Sequence, residues 1–339
     1  MTGNCIGIDI GTANITAYVE GKGIVFSRPS AVACDTHTGK ILALGEEAFA
    51  MTGRAPSSIS VIRPFSDGVV SDVSITVAML SDFVNEVCRM SVLKPNIMAS
   101  VPGEITSLER KAILDVLSAS GAAKVCIMEQ PFAAAIGADI PFSKPYGTMI
   151  IDIGAGTVDI AVVSMNSIAK AKTIRFASES FTQDIIRYLR RERDIDVGFL
   201  TAEYIKKTIG GAVIRNEEIA LVAKGRNVVT GTPINFEITS TEVYWAIKEH
   251  VDMILSAVKE VFSSISPELS ADIFESGIVL TGKGSLLYGI DAFLESSTGI
   301  QVRIAKEPWL CVAKGLGKSI QNKRKLRNTE YEFRYYEEF

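Results

Sequence analysis

The chain has 339 residues, 47% of them hydrophobic and 22% charged, with a formal net charge of −4. That length accommodates two or more domains, the composition is that of a soluble globular protein, and the weak negative charge gives no electrostatic footprint for nucleic acid. Five scattered cysteines without a CxxC pair exclude a zinc ribbon and a disulfide framework and fit a reducing cytoplasm. No signal peptide is read before Asn4, and no apolar run reaches the ~18 residues of a spanning helix, so any membrane contact is expected to be peripheral. The two histidines, His37 and His250, lie far apart and read as surface residues rather than ligands.

In chain order, Ile6-Gly7-Ile8-Asp9-Ile10-Gly11-Thr12-Ala13-Asn14-Ile15 reads as a buried strand ending in a carboxylate, a tight Gly-Thr turn and a return strand. A third strand follows the turn Gly21-Lys22-Gly23. Short strands near Ala31–Cys34 and Ile41–Leu44 read as a small subdomain inserted at about 29–72. Val69–Met90 has helical spacing, with Val73, Val77, Leu80, Val84 and Val87 on one face. Asn96–Val101 is a strand, Thr106-Ser107-Leu108-Glu109 a capping box opening a helix, Lys124–Met128 a strand, and Glu129-Gln130-Pro131-Phe132-Ala133-Ala134-Ala135-Ile136-Gly137 a helix start whose small residues can pack closely. Strand, capped helix, strand, helix is a parallel α/β layout.

The plan then repeats. Met149-Ile150-Ile151-Asp152-Ile153-Gly154-Ala155-Gly156-Thr157-Val158-Asp159-Ile160 is a second strand–Asp–Gly–Thr hairpin. A helix in Phe181–Arg191 carries Arg187, Arg190, Arg191 and Arg193, read as a solvated face. Thr201–Lys207 is a helix ending at Gly210-Gly211. Strands with a turn at Gly231 follow, and Thr239-Ser240-Thr241-Glu242 caps a long helix to about Ser263. Gly277–Leu280 is a strand ending in Thr281-Gly282-Lys283-Gly284-Ser285 and followed by a helix, whose N-terminus favours an anion or polar group. Residues 1–140 are therefore assigned to a first lobe, 141–320 to a second with its own insertion at about 177–240, and 321–339 to a tail.

The paired hairpins carry the chemistry. Glycine has no Cβ and tolerates positive φ, so backbone N–H groups can approach an anion closely and form a nest. Thr12 and Thr157 add hydroxyl donors. Asp9 and Asp152 would repel phosphate directly, so their natural role is to hold Mg²⁺ or its waters. One such hairpin is a weak signal; two, each led by an apolar run into Asp, point to a nucleotide with a divalent metal held between two similar lobes.

The ordered set IGIDIGTAN, EQPFAAAIG, DIGAGTVDIAV, TAEYIKK and LTGKGSLL resembles the actin-like ATPases. With the flanks GKGIVFSRPSAVA, RPFSDGVVSD, ERKAILD, SPELSADIFESGIVLTG and VAKGLG, it is similar to the bacterial cytoskeletal MreB/Mbl family over roughly residues 4–320. The resemblance implies an actin-like α/β fold of two lobes, each with a large and a small subdomain, around ATP and Mg²⁺. It places Gly11, Thr12, Ala13 and Asn14 on one side of the phosphates and Gly154, Ala155, Gly156 and Thr157 on the other, with Asp9 and Asp152 facing the metal. Glu203, Lys206 and Lys207 match the helix that contacts ribose and base, and Gly282, Lys283 and Gly284 the adenine loop. It also implies self-assembly into paired protofilaments at the inner face of the cytoplasmic membrane, working with cell-wall synthesis and rod-shape proteins.

Three positions depart from that pattern. Gln130 stands where the family has the second acid before its proline; with Thr157 it would position the attacking water, and because glutamine cannot take a proton, turnover is expected to be slow. Actin also has Gln there. Lys283 replaces a glycine and must turn away or meet the nucleotide. Ala155 replaces another, which is tolerable only if its φ is negative. The apolar turn Met90-Ser91-Val92-Leu93-Lys94-Pro95 reads on its own as residues tucked into the core; the resemblance makes Val92 and Leu93 a membrane loop, with Arg89 and Lys94 each adding about 1 kcal/mol near anionic headgroups. The tail combines the basic run Lys323–Arg327 with Tyr331, Phe333, Tyr335, Tyr336 and Phe339 and reads as a disordered or loosely helical end; its aromatic content leaves a lipid or partner contact open, and it is assigned no role. Two alternatives remain open at this point: a nucleotide-locked, co-assembling scaffold, and a small-molecule kinase of the same fold.

Overall fold

Two five-stranded sheets carry the chain, and both follow one plan. The computed structural model describes residues 5–88, 93–141, 145–322, 331 and 333–336. In the first lobe β1 (Cys5–Ile10), β2 (Asn14–Val19) and β3 (Gly23–Pro29) form an antiparallel meander. Next come β4 (Val32–Asp35), β5 (Ile41–Leu44), the short helix α1 (Glu46–Ala50) and β6 (Ile59–Ile62), where β5-β4-β6 make a small antiparallel sheet of their own. The two-residue strands β7 (Phe65–Ser66) and β8 (Val69–Val70) pair with each other and lead into α2 (Val73–Cys88). Then β9 (Asn96–Val101), α3 (Ser107–Ala119), β10 (Lys124–Glu129) and α4 (Gln130–Gly137) complete the lobe, with β9 and β10 added parallel to β1.

The second lobe repeats this order. The meander is β11 (Thr148–Ile153), β12 (Val158–Ser164) and β13 (Ser167–Ile174). Helix α5 (Ser178–Arg193), the strand β14 (Ile195–Asp196), α6 (Phe199–Ile209), β15 (Ala220–Asn227) and β16 (Pro233–Thr239) follow, and β14-β15-β16 form a second small sheet. Helices α7 (Ser240–Ser263) and α8 (Pro267–Ser276) then lead to β17 (Ile278–Thr281), α9 (Ile290–Thr298), β18 (Val302–Ile304) and α10 (Cys311–Gln321). Strands β17 and β18 add parallel to β11 just as β9 and β10 add to β1. The hairpins even share a register: Ile10 pairs Ile15, and Ile153 pairs Val158.

Both capping boxes form, Thr106 with Glu109 and Thr239 with Glu242, each hydroxyl accepting from the backbone of the glutamate whose carboxylate accepts from the cap's own N–H. Other expectations are corrected. Helix α2 starts four residues later than its spacing suggests, because Val69-Val70 pairs as a strand, and it buries Thr76, Met79, Leu80, Phe83 and Val84. Val73 is exposed: the larger Met79 and Phe83 take the core face, rotating the valine stripe toward its edge. His250 is no surface residue. It is largely buried, its Nδ1 lies 2.5 Å from Asp184 Oδ2, and its ring packs on Phe176. Nor is the arginine face of α5 wholly solvated: Arg193 bonds the Glu237 carbonyl and the Glu242 carboxylate, and its guanidinium lies over the Phe236 ring.

Each lobe has its own apolar core. A third cluster lies between the sheets, where Met98 and Met128 from the first meet Ile150, Ala161 and Val279 from the second around α4 and α10. These two helices therefore join the lobes beneath the cleft. Lys318 of α10 reinforces the joint, donating to the final carbonyls of α4 at Ile136 and Gly137, each 3.2 Å away, where a helix end favours a cation.

Candidate functional site

The two Gly-Thr turns meet face to face at the mouth of a cavity of about 630 Å³ lined from both lobes. Each turn closes in the same way: Gly11 N donates to Asn14 O at 3.0 Å, and Gly154 N to Thr157 O at 2.9 Å. A Cβ on Gly156 would sit 2.6 Å from Thr12 Oγ1 of the opposite turn, so glycine is required there for closeness. Positive φ is not the reason, since Gly11, Gly154 and Gly156 all lack it. Ala155 has no positive φ either, and its methyl is accommodated without strain. Thr12, Ala13, Asn14 and Thr157 line the same cavity.

Asp9 and Asp152 stand at the ends of the central strands of the two sheets, and both line the cavity. Burial raises the Asp9 carboxyl to about 6, against a lowering hydrogen bond from Ser100. Burial raises Asp152 to about 7, with a bond from Thr281 opposing and the charges of Asp159 and Asp9 adding. Ser100 Oγ donates to Asp9 Oδ1 at 2.8 Å, and Thr281 Oγ1 to Asp152 Oδ1 at 2.6 Å. Two carboxylates raised by burial, Asp152 also by the charge of Asp9, are short of a cation. Two carboxylates are no closed cage, and among the described residues no group of three or more acidic, His or Cys side chains could form one. Mg²⁺ typically takes one or two carboxylates, several waters and substrate phosphates, so this donor set fits it.

Gln130, the first residue of α4, is buried and faces the cavity, with Nε2 3.5 Å from Ser100 Oγ. Glu203 and Lys206 of α6 form a tight knot. Lys206 Nζ donates to Ser178 O, Ser178 Oγ and Thr182 Oγ1 at 2.6, 2.7 and 2.9 Å and lies 2.7 Å from Glu203 Oε2. Its ammonium protons are thereby taken up within the protein. Burial alone would raise the Glu203 carboxyl, but Lys206, Thr182 and Lys207 bring it down to about 2. Lys207 pairs with Glu203 Oε1 at 3.0 Å and is otherwise exposed to the cavity.

Gly282, Lys283 and Gly284 form the opposite rim. The helix expected after β17 does not begin there: residues 283–286 make one 3-10 turn and α9 starts at Ile290. Gly282 has φ +79, and a Cβ on it would meet the Ile153 carbonyl at 2.2 Å. This pinned backbone presents Lys283 to the cavity instead of turning it away. Partial burial and the nearby Lys207 hold its ammonium below the ordinary lysine range, while Glu203, Glu46 and Asp9 oppose that shift.

The structure thus brings every sequence-predicted site residue into one cavity except Val92 and Leu93. Val92 lies outside the described residues, as does Arg89; Leu93 is 44% exposed, away from the cavity. Sequence reasoning missed Ser100, which joins Gln130 to Asp9, and the pair Arg63–Glu179, which spans the cleft from the first lobe to the start of α5. It also missed Arg215, whose guanidinium stacks 3.8 Å from the Tyr288 ring in the cavity wall. An isolated Ser, Arg or Tyr carries no local signature.

The MreB/Mbl protein family model matches residues 3–328. The chain belongs to the MreB/Mbl family. The cell shape-determining protein Mbl of Bacillus cereus is 44% identical over 330 residues, covering 95% of this chain and 98% of that one. MreB of Escherichia coli is 40% identical over 327 residues, covering 95% and 94%. The crystal structure of MreB5 of Spiroplasma citri bound to ADP superposes with a TM-score of 0.92 at 34% identity, covering 96% and 99%. A MamK double helical filament shares the fold at TM-score 0.81 and 20% identity. The actin-like α/β fold is therefore this MreB/Mbl chain's fold. Among its described residues, no helix is long and apolar enough to cross a membrane.

Proposed function

We propose that this MreB/Mbl protein is an ATP-binding, actin-like cytoskeletal protein that polymerises into paired protofilaments at the inner face of the cytoplasmic membrane, where it works with cell-wall synthesis and rod-shape proteins. The observation that carries the reading is the pair of Gly-Thr turns closing on one another above Asp9 and Asp152, an arrangement with backbone donors for phosphate and carboxylates for Mg²⁺. Nucleotide binding is supported by relatives bound to ADP and AMPPNP, and self-assembly by a filament of the same fold.

In this reading the turns cradle the phosphates from either side, and Asp9 and Asp152 would hold Mg²⁺, which would offset the phosphates' charge. Glu203, Lys207, Lys283 and the Arg215–Tyr288 stack surround the sugar and base. Gln130 and Thr157 orient the attacking water. The Gln130 amide holds water but accepts no proton, so hydrolysis is slow. Gln130→Glu is expected to raise phosphate release by about tenfold or more, the low end of what a positioned base contributes; an unchanged rate would mean that glutamine is not what limits turnover.

Leu93 and Lys94 are exposed beyond the end of α2 and form the described part of the membrane loop. Pelleting on anionic liposomes with ATP, with ADP and without nucleotide, checked by negative-stain microscopy, tests the whole proposal. ATP-dependent filaments on lipid that are lost with Leu93→Ser are expected. No sedimentation under any condition, with ATP still bound, would overturn the filament reading.

A further inference from the structure

The family match ends at residue 328, yet the described part of the chain beyond it is packed on the first lobe. Tyr331 is only 7% exposed. Its ring stacks on Phe132 of α4 with centroids 5.2 Å apart. Its hydroxyl donates to Glu129 Oε2 at 2.8 Å, and its carbonyl accepts from Cys126 Sγ at 3.1 Å. Arg334 exchanges both backbone hydrogen bonds with Val125, at 3.0 and 2.9 Å, as an antiparallel bridge. The Tyr335 ring lies 4.2 Å from Lys124 Nζ, and the Tyr336 hydroxyl bonds Asp115 of α3. The expectation of a disordered or loosely helical end is therefore corrected for these residues: their aromatic rings find apolar and charged partners on β10, α3 and α4.

Strand β10 is the edge of the first sheet. An uncovered edge offers free backbone donors and acceptors to other chains, and the segment occupies part of that edge in cis. Its position also bears on the cleft. Glu129 and Phe132, the two residues that Tyr331 grips, flank Gln130-Pro131 in sequence. Glu129 does not line the cavity; its carboxylate is held behind it, between Tyr331 and Arg110 at 3.5 Å. One side chain thus fixes the segment on both sides of Gln130, which faces the cavity from the start of α4.

We propose that residues 331 and 333–336 form an intramolecular strap on the edge of β10, and that Tyr331, gripping Glu129 and Phe132, is a positioning residue for Gln130. The strap ties the tail of the chain to the cleft: while it is docked Gln130 is held, and when it leaves, Gln130 loosens and Cys126 is uncovered. The positioning role rests on the ATPase reading above; the strap itself does not.

The test compares the full chain, Tyr331→Phe, and a chain ending at Asn328. Alkylation of Cys126 by iodoacetamide, mapped by mass spectrometry, reads the strap, and kcat and KM for phosphate release from ATP read the site. Ending the chain at Asn328 is expected to speed Cys126 alkylation by about tenfold or more, because local opening sets the reactivity of a buried group. Tyr331→Phe keeps the ring stack and loses the hydroxyl's bond to Glu129. It is expected to leave Cys126 protected while lowering kcat by roughly threefold or more with KM little changed, since a misplaced reacting group lowers the rate more than the binding. Cys126 equally protected in the shortened chain overturns the strap. An unchanged kcat in Tyr331→Phe overturns the positioning role. A full chain that binds ATP but releases no phosphate overturns the ATPase reading and the positioning role with it, and the alkylation rates still decide the strap.

Discussion

Asparagine in place of Asp152 is expected to abolish magnesium-dependent nucleotide binding and, at the same time, to stabilise the empty protein at pH 8. The Asp152 carboxyl is raised from 3.8 to about 7, so the folded protein holds a proton there that the unfolded chain has released. Stability therefore falls as pH rises from about 4 to about 7 and is flat above, where the buried carboxylate is charged in both states. At 1.36 kcal/mol per unit, a rise from 3.8 to about 7 means that the charge costs up to about 4 kcal/mol at pH 8. An asparagine keeps an oxygen for the Thr281 hydroxyl and carries no charge, so most of that cost disappears. The same change removes one of two carboxylates available to Mg²⁺, and affinity for Mg-ATP is expected to drop by at least about a hundredfold, more than the loss of an outer-shell partner causes. Thermal melts of both proteins at pH 5 and pH 8, with fluorescent-nucleotide titrations with and without Mg²⁺, measure both effects. A variant that melts no higher than the parent at pH 8, or that binds Mg-ATP as tightly, would remove Asp152 from the proposed site.

Gly315→Ala should cripple folding. A Cβ there would sit 1.7 Å from the Ala133 carbonyl oxygen of α4, and one on Gly137 would sit 1.8 Å from the Cys311 carbonyl oxygen of α10. Both contacts are with backbone, which has no rotamer to change. The helices would have to separate, and the cluster joining the two sheets would open with them. Overpacking of a core typically costs about 1–3 kcal/mol; a clash of two backbones that also prises the lobes apart should cost about 3 kcal/mol or more. Gly198→Ala is the control, since its Cβ meets nothing within 4 Å and its φ of −76 suits any residue; as the N-cap of α6 it should cost no more than about 1 kcal/mol. Urea unfolding of the three proteins decides the matter, and equal losses for the two substitutions would mean that the helix crossing is looser than these distances require.

Much of the fold was legible because its signals are local. The capping boxes at Thr106 and Thr239, the strand Asn96–Val101 and the two Asp–Gly–Thr hairpins each announce themselves within a dozen residues. The valine stripe of α2 misled because spacing gives a face but not which side chains are large enough to hold it; Met79 and Phe83 decided that. The sequence around His250 carries no sign of its partner, because Asp184 lies on a different helix and 66 positions away in the chain. The candidate site followed the same rule. Turn glycines, threonines and the two aspartates were read from motifs, whereas Ser100 and the Arg63–Glu179 pair became visible only when strands and helices from distant stretches converged.

By itself the sequence determined two similar α/β lobes, a carboxylate at the end of each central strand and a Gly-Thr turn after it, because strand alternation, caps and turns are properties of a few consecutive residues. Tertiary structure alone decided that Gly156 meets Thr12, that Lys206 is consumed by Ser178, Thr182 and Glu203, that Lys283 faces the cavity, and that the tail returns to β10. Each of these is a contact between residues far apart in the chain, fixed by how closely two backbones can approach and by which buried polar groups must find partners.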